Sequence, residues 1–346
     1  MAPRWRVEIT AALPPMFANL QTVPKGQKNF TLRAQLFPLD RQTGVVTSWE
    51  ELKKHYPPDV GVPNFADTTW KFRDDAIELA WRTDIGTNGQ GTIYKSRAYL
   101  PSELIPLPEI TTWEEFRRFT RGLEPYRYIF RGQTSNRWRL RTSFHRTGRS
   151  SPIKYMSQDI PTLHRHLSGM MEHHLDLRDQ LHNAAFYNLI QHHGYPTPLL
   201  DWTYSPFIAA YFAFKRVRRS GVPAERRVRI FVFDKLRWCQ EVEAMTVLAP
   251  PKLHFTVLEP LALNNPRVVP QQSVTSVTNL DDIETYLKGR EQQFKKQYLR
   301  AIDLPASERN DVMQELSLMG ITAGSLFPGL DGACEQVRER FFEITE

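Results

Sequence analysis

Apolar and polar positions alternate with a period of two along much of the first hundred residues. From Asn29 onward, Phe30, Leu32, Ala34 and Leu36 interleave with Thr31, Arg33 and Gln35, the pattern of a strand with one buried face. Ile77, Leu79 and Trp81 repeat it against Glu78, Ala80 and Arg82, then run through Gly86 to Gly91 into Thr92-Ile93-Tyr94. A hairpin with a long glycine-containing turn is expected there. Between the two patterns, Ser48 and Glu51 have the spacing of a capping box over a short helix. Residues 1–100 therefore predict a small β-rich domain, a sandwich or an open sheet with one helix.

Pro101, Pro106 and Pro108 interrupt the pattern, and proline removes a backbone donor while biasing the preceding residue away from helix. A linker is expected over 101–110. The remainder, 111–346, reads as mixed α and β. Thr112 and Glu115 frame a helix start whose apolar face carries Phe116 and Phe119. Residues 126–130 read as a strand running into Arg131-Gly132. A long helical region follows Thr162 and closes at Gly194, and Ser205-Pro206 opens another helix with a small-residue face of Ala209, Ala210 and Ala213. Residues 229–233, 255–258 and 298–302 read as strands, with helices over 312–319, ending at Gly320, and after Asp331. The fold class is α+β.

A length of 346 residues suits two domains. No apolar run approaches the roughly 18 residues of a membrane span. Near the start, Arg4 and Arg6 are followed by Glu8 and Pro14-Pro15, a poor secretory signal, so a cytoplasmic protein is expected. Cys239 and Cys334 are too few for a disulfide framework and are expected to be reduced. With 45 Lys and Arg against 38 Asp and Glu, the net charge of +7 suits a phosphate-bearing partner better than a cationic one.

Eight of the ten histidines fall between His145 and His193, but no H-E-x-x-H arrangement is present and no metal is expected. His192 and His193 directly precede Gly194. They either compensate a helix dipole or place one ring at the mouth of a site. The basic run Lys215, Arg216, Arg218, Arg219, Arg226, Arg227 and Arg229 reads first as a solvated face, and alternatively as a phosphate-tracking patch with few aromatics beside it.

Two segments carry the strongest signal. Phe130-Arg131-Gly132-Gln133 ends a strand on an arginine, beside a glycine that admits close backbone approach by a ligand. Downstream, Gln191-His192-His193-Gly194-Tyr195-Pro196-Thr197 leads into Leu199-Leu200-Asp201-Trp202-Thr203, then Ser205-Pro206 and Ala210-Tyr211-Phe212-Ala213. Together these resemble the FRG domain family, named for its Phe/Tyr-Arg-Gly motif. Asn265-Pro266-Arg267, Gln271-Gln272, Gly320-Ile321, Leu326-Phe327-Pro328 and Leu330-Asp331-Gly332 extend the resemblance over roughly 111–335. Pro198 departs from it, standing where many relatives carry arginine.

The resemblance implies a bacterial or phage protein, in some relatives a toxin or phage-defence component. Its order of parts is similar to that of ADP-ribosyltransferases, which implies a split sheet, NAD as cofactor, and a protein or nucleic acid as acceptor. In that scheme Arg131, with Gly132 and Gln133, holds a phosphate or ribose. Thr203 or Ser205 positions the nicotinamide ribose, Trp202 or Tyr211 offers an aromatic surface, and Gln271 or Gln272 bonds a ribose hydroxyl. Asp201, Glu259 or Glu291 supplies the carboxylate that an oxocarbenium-like transition state requires. Plainer roles stay open: Asp201 accepting backbone hydrogen bonds in a turn, and Arg131 paired with it. So do two other functions, a non-catalytic recognition module whose N-terminal domain binds a partner, and a hydrolase or nuclease using His192, His193 and Asp201.

Overall fold

The alternation from Asn29 is a strand, Asn29–Pro38, with Ala34 fully buried on its inner face. The computed structural model describes all residues except 1–14, 21–23, 41–45, 59, 150–151, 172, 246–252, 260–262, 264 and 343–346. The leader reading around Arg4 and Glu8 lies outside the described residues. The chain divides into two units, Met1–Arg97 with Met245–His254, and Ala98–Ala244 with Phe255–Glu346.

The first unit is an open antiparallel sheet in chain order, β1 (Met16–Asn19), β2 (Asn29–Pro38), β3 (Phe65–Phe72), β4 (Ala76–Thr83) and β5 (Asn88–Tyr94). Its turn between β4 and β5 is shorter than the glycines suggest. Gly89 and Gly91 lie within β5, and a Cβ on Gly89 would sit 2.2 Å from the Trp81 ring. That glycine makes room for an indole and bends nothing. Ser48 caps the helix Trp49–Leu52, its hydroxyl accepting from the Glu51 amide at 3.2 Å.

The second unit is built on six antiparallel strands in the order β11-β8-β6-β7-β10-β9. These are β6 (Tyr128–Gln133), β7 (Leu199–Thr203), β8 (Arg227–Asp234), β9 (Phe255–Leu258), β10 (Ser273–Thr278) and β11 (Leu299–Pro305). Successive residues of β8 serve opposite faces: Ile230 and Val232 pack in one core with the helix Pro206–Phe214, Phe231 and Phe233 in the other with Trp202 and Trp238. Burying each such side chain contributes about 1.5–3 kcal/mol, which is why this sheet is the centre of the unit. The helical region after Thr162 resolves into Ile160–Leu167 and Gln180–His192, the second capped by Asp179, which accepts from Leu181 and His182 at 2.9 Å. Gly194 adopts φ +84°, as its capping place requires.

Residues 101–110, read from their prolines as a linker, pack within this unit. Leu107 donates to the Ala301 carbonyl at 2.9 Å, Pro101 accepts from Arg139 at 3.3 Å, and Ile110 is buried.

Between β6 and β7 the ladder has one registered pair, Phe130 opposite Thr203. Beyond it β6 stays on β8, with Arg131 opposite Phe231 and Gly132 opposite Ile230. At Gly132 an added Cβ would fall 1.9 Å from the Ala209 carbonyl oxygen and 2.7 Å from the Ala213 nitrogen. The glycine of the motif thus admits a helix backbone, a requirement that its reading as room for a ligand did not include. Gly132→Ala should destabilise the protein by about 3 kcal/mol or more, because backbone must move to accept the methyl group. Gly289→Ala, in the interior of the helix Ile283–Phe294 with open space around it, should stabilise by about 0.5–1 kcal/mol. Urea unfolding of the two variants checks both signs.

Candidate functional site

Where β6 and β7 part, a cleft of about 1140 Å³ opens, lined entirely by the second unit. Strand β6 brings Arg131, Gly132 and Gln133 to it, β7 brings Asp201 and Thr203, and the C-terminal end of the helix Gln180–His192 brings Gln191 and His192. Arg267 and Gln271 come from the turn before β10, and Lys215 and Arg216 follow the helix Pro206–Phe214.

Its charge is one-sided. Eight lysines and arginines line the cleft, and Asp201 is the one carboxylate among the described residues that does. Arg139 and Arg141 are paired with Asp282 and Asp281, each at 2.7 Å. Among the described residues, Arg131, Arg137, Arg146, Lys215, Arg216 and Arg267 form no ion pair.

Arg131 sits at the opening of the sheet. Its Nη1 donates to the backbone carbonyl of Asp201 at 2.5 Å, and its Nε is closed off from solvent with no partner. Burial pushes its pKa down to about 10, opposed by the Asp201 carboxylate and assisted by Arg146. It remains cationic at neutral pH with no ion pair of its own. Gln133 Oε1 and His192 Nε2 are likewise buried without partners, and burial lowers the His192 pKa, favouring the neutral ring. The Asp201 carboxylate accepts from the Gln191 amide, whose carbonyl oxygen in turn accepts from the Thr197 hydroxyl. A donor with no acceptor, an acceptor with no donor and uncompensated positive charge thus converge on one space, an arrangement suited to an anionic ligand with hydroxyl groups.

Residues 126–221 match the family model of the FRG domain. The chain carries an FRG domain. No curated protein and no solved structure matches it. The matched segment contains both β6 and β7, so the FRG signature spans the opening of the sheet.

Of the residues singled out in the sequence, Arg131, Gly132, Gln133, Asp201, Thr203 and Gln271 come together as lining residues, all but Gln271 inside the segment that matches the FRG domain. Trp202 also borders the cleft, but the residue is 2% exposed, its ring packs 5.7 Å from Phe233 and its ring N–H donates to Ser276 at 2.9 Å. Others lie outside it. Tyr211 is fully buried and donates to Glu339 at 2.9 Å. Neither ring is available as an aromatic surface for a ligand. The Ser205 hydroxyl is used as a helix cap at 3.3 Å, and Thr203 donates to the Gln271 carbonyl at 2.7 Å. Gln272 is exposed, at φ +46°, outside the cleft, while Gln271 lines it and donates to the Leu326 carbonyl at 2.9 Å. His193 is exposed and borders a separate apolar groove, so His192 is the histidine of the site.

Glu259 pairs with Lys235 and Tyr204, and Glu291 accepts from the amides of Tyr298 and Leu299 at 2.7 and 2.8 Å, so neither serves the cleft. Of the basic run, Lys215 and Arg216 line it. Arg229 is instead buried against Asp303, at 2.7 and 2.8 Å. Asp201 lies in a strand, not a turn, and Arg131 bonds its carbonyl instead of its carboxylate. Among the described residues no three His, Cys, Asp or Glu side chains gather as a metal site, and no helix is long and apolar enough to cross a membrane.

The pattern reading missed the arginines at 137, 139 and 141. Their density, three arginines within the five residues 137–141, was the available signal, and Trp138 between them lines the cleft as well.

The two strand-borne arginines should respond oppositely to removal. Arg131→Met takes away an unpaired charge and should leave stability within about 1 kcal/mol of the parent or above it. Arg229→Met strands the buried Asp303 and should cost about 3–5 kcal/mol. Denaturant titrations of both variants measure the difference.

Proposed function

We propose that the FRG domain binds a pyrophosphate-bearing nucleotide in this cleft, with NAD as the ligand, and acts as an ADP-ribosyltransferase-like effector on a protein or nucleic-acid acceptor. The observation that carries the reading is Arg131: an enclosed, uncompensated guanidinium with a free Nε at the opening between two strands. The splay between the strand of Arg131 and the strand of Thr203 supports a split sheet of the transferase kind. The residues present fit NAD. Arg131, Arg146 and Arg267 are the cations for a pyrophosphate, and Gln133 Oε1 is a free acceptor for a ribose hydroxyl.

Bound NAD supplies a nicotinamide leaving group on an electrophilic ribose carbon. Asp201 is the carboxylate available to face the positive charge that builds on that ribose, and its hydrogen bond from Gln191 fixes its direction. Neutral His192 is the group able to accept a proton beside it. A cytoplasmic toxin or defence component suits such chemistry, and the five-stranded N-terminal sheet is the candidate for partner choice. A second reading, recognition without turnover, is favoured by the engagement of Thr203 and Gln271 in packing bonds.

Calorimetric titration with NAD and ADP-ribose, together with chromatography of released nicotinamide, separates these readings. Binding should weaken at least about tenfold in Arg131→Ala, the loss of one charge-assisted contact. Asp201→Asn should retain binding and lose nicotinamide release. Binding with no release by the parent protein supports the recognition module, and no binding of either compound removes the nucleotide reading.

A further inference from the structure

The cleft is larger and more positive than a dinucleotide needs. Its volume of about 1140 Å³ exceeds the roughly 300–1,000 Å³ usual for a small-molecule site, and its unpaired cations outnumber the two charges of a pyrophosphate. The surplus lies with two segments apart from Arg131. Residues 98–101 and 137–141 are tied together by the Ser102 amide on the Arg137 carbonyl at 2.9 Å and by Arg139 Nε on the Pro101 carbonyl at 3.3 Å. They bring Tyr99 and Trp138 to the cleft, 66% and 57% exposed, and no other ring or cation packs on either side chain among the described residues. Arg137, exposed and without an ion pair, stands beside Trp138.

We infer that the cleft binds single-stranded nucleic acid, with Tyr99 and Trp138 stacking unpaired bases and Arg137, together with Lys215 and Arg216 from the end of the helix Pro206–Phe214, following the backbone phosphates. The inference goes beyond the nucleotide reading and does not depend on it. Exposed aromatic faces among uncompensated cations are what a single strand uses, since every base has a face to stack and every linkage a negative charge. A duplex keeps its bases stacked on each other and gives those rings nothing to grip. An acidic peptide would satisfy the cations and leave the rings unused.

The test is fluorescence anisotropy of the full chain with labelled oligo-dT and oligo-rU of about 12 nucleotides, a length within the usual site size. Affinity should fall steeply between about 50 and 200 mM salt, and the slope should decrease by about 0.7 in Arg137→Ala, one phosphate contact on a single strand. Trp138→Ala and Tyr99→Ala should each weaken binding about 5- to 150-fold, the range for one stacked base. Trp138→Ala should bind ADP-ribose as the parent does, so failure of the strand site and failure of the nucleotide site read out separately. Comparison of the two oligonucleotides assigns DNA or RNA. The inference is overturned by no binding at the lower salt, by binding that neither aromatic substitution changes, by a duplex of equal length binding as tightly, or by polyglutamate displacing the strand at equal charge concentration.

Discussion

One hydrogen bond marks the opening of the sheet: the guanidinium of Arg131 on the carbonyl of Asp201, across strands that have stopped pairing. In a continuous antiparallel ladder that carbonyl would face the backbone of β6. The second half of β6 is committed elsewhere, to β8 on one side and, through Gly132, to the backbone of the Pro206–Phe214 helix. A side chain therefore does what a main-chain amide would have done, at the place where the cleft opens. The three residues of the Phe-Arg-Gly signature divide the work. Phe130 holds the last registered pair and packs in the core, Arg131 spans the opening, and Gly132 lets the helix close on the strand that leaves it.

Arg229 shows what the same side chain looks like when it serves the fold alone. It sits on β8, buried, with both oxygens of Asp303, the Ser102 hydroxyl and the Leu104 carbonyl at 2.7–3.1 Å. Four of its five N–H donors are used, and its charge is matched. Arg131 has one partner and a neighbour of its own sign in Arg146. Leaving a buried cation uncompensated opposes folding, so Arg131 is held in the lining of the cleft at a cost that Arg229 does not bear. The cleft's surplus of positive charge extends the same imbalance over a larger surface.

Much of the fold was legible in the chain. Strand β8 reads as an apolar string because both of its faces are buried, and Ser205-Pro206, Thr112 with Glu115 and Gly194 mark helix ends at the places the structure uses them. Strand β10, Ser-Val-Thr-Ser-Val-Thr, carried no such signal. Its hydroxyl residues are buried, as the Trp202 ring on Ser276 shows, so neither alternation nor hydrophobicity announces it. The prolines of 101–110 mimic a linker because they lack donors, yet the Pro101 carbonyl and the amides of Ser102 and Leu107 find partners on the domain. Propensity records which bonds a residue is unable to make, and packing decides which of the rest are made.

The site was legible to the level of a segment and not of a residue. In two neighbouring pairs one member reaches the cleft and the other does not, His192 and not His193, Gln271 and not Gln272, and in a third both Asp201 and Trp202 border it while the Trp202 ring packs in the core. Each choice has its own backbone cause. Strand alternation turns the Trp202 side chain into the opposite core as Asp201 faces out. His193 is the capping residue after the last helical turn and leaves the line of the helix. Gln272 takes a left-handed φ of +46° that swings it away just before β10 begins. A motif names the stretch of chain where chemistry is concentrated, whereas the atoms that meet a ligand are chosen by half-turns of backbone geometry. Residue roles inside such a stretch follow from which face the backbone offers, and here that face is set by the strand that Gly132 draws away.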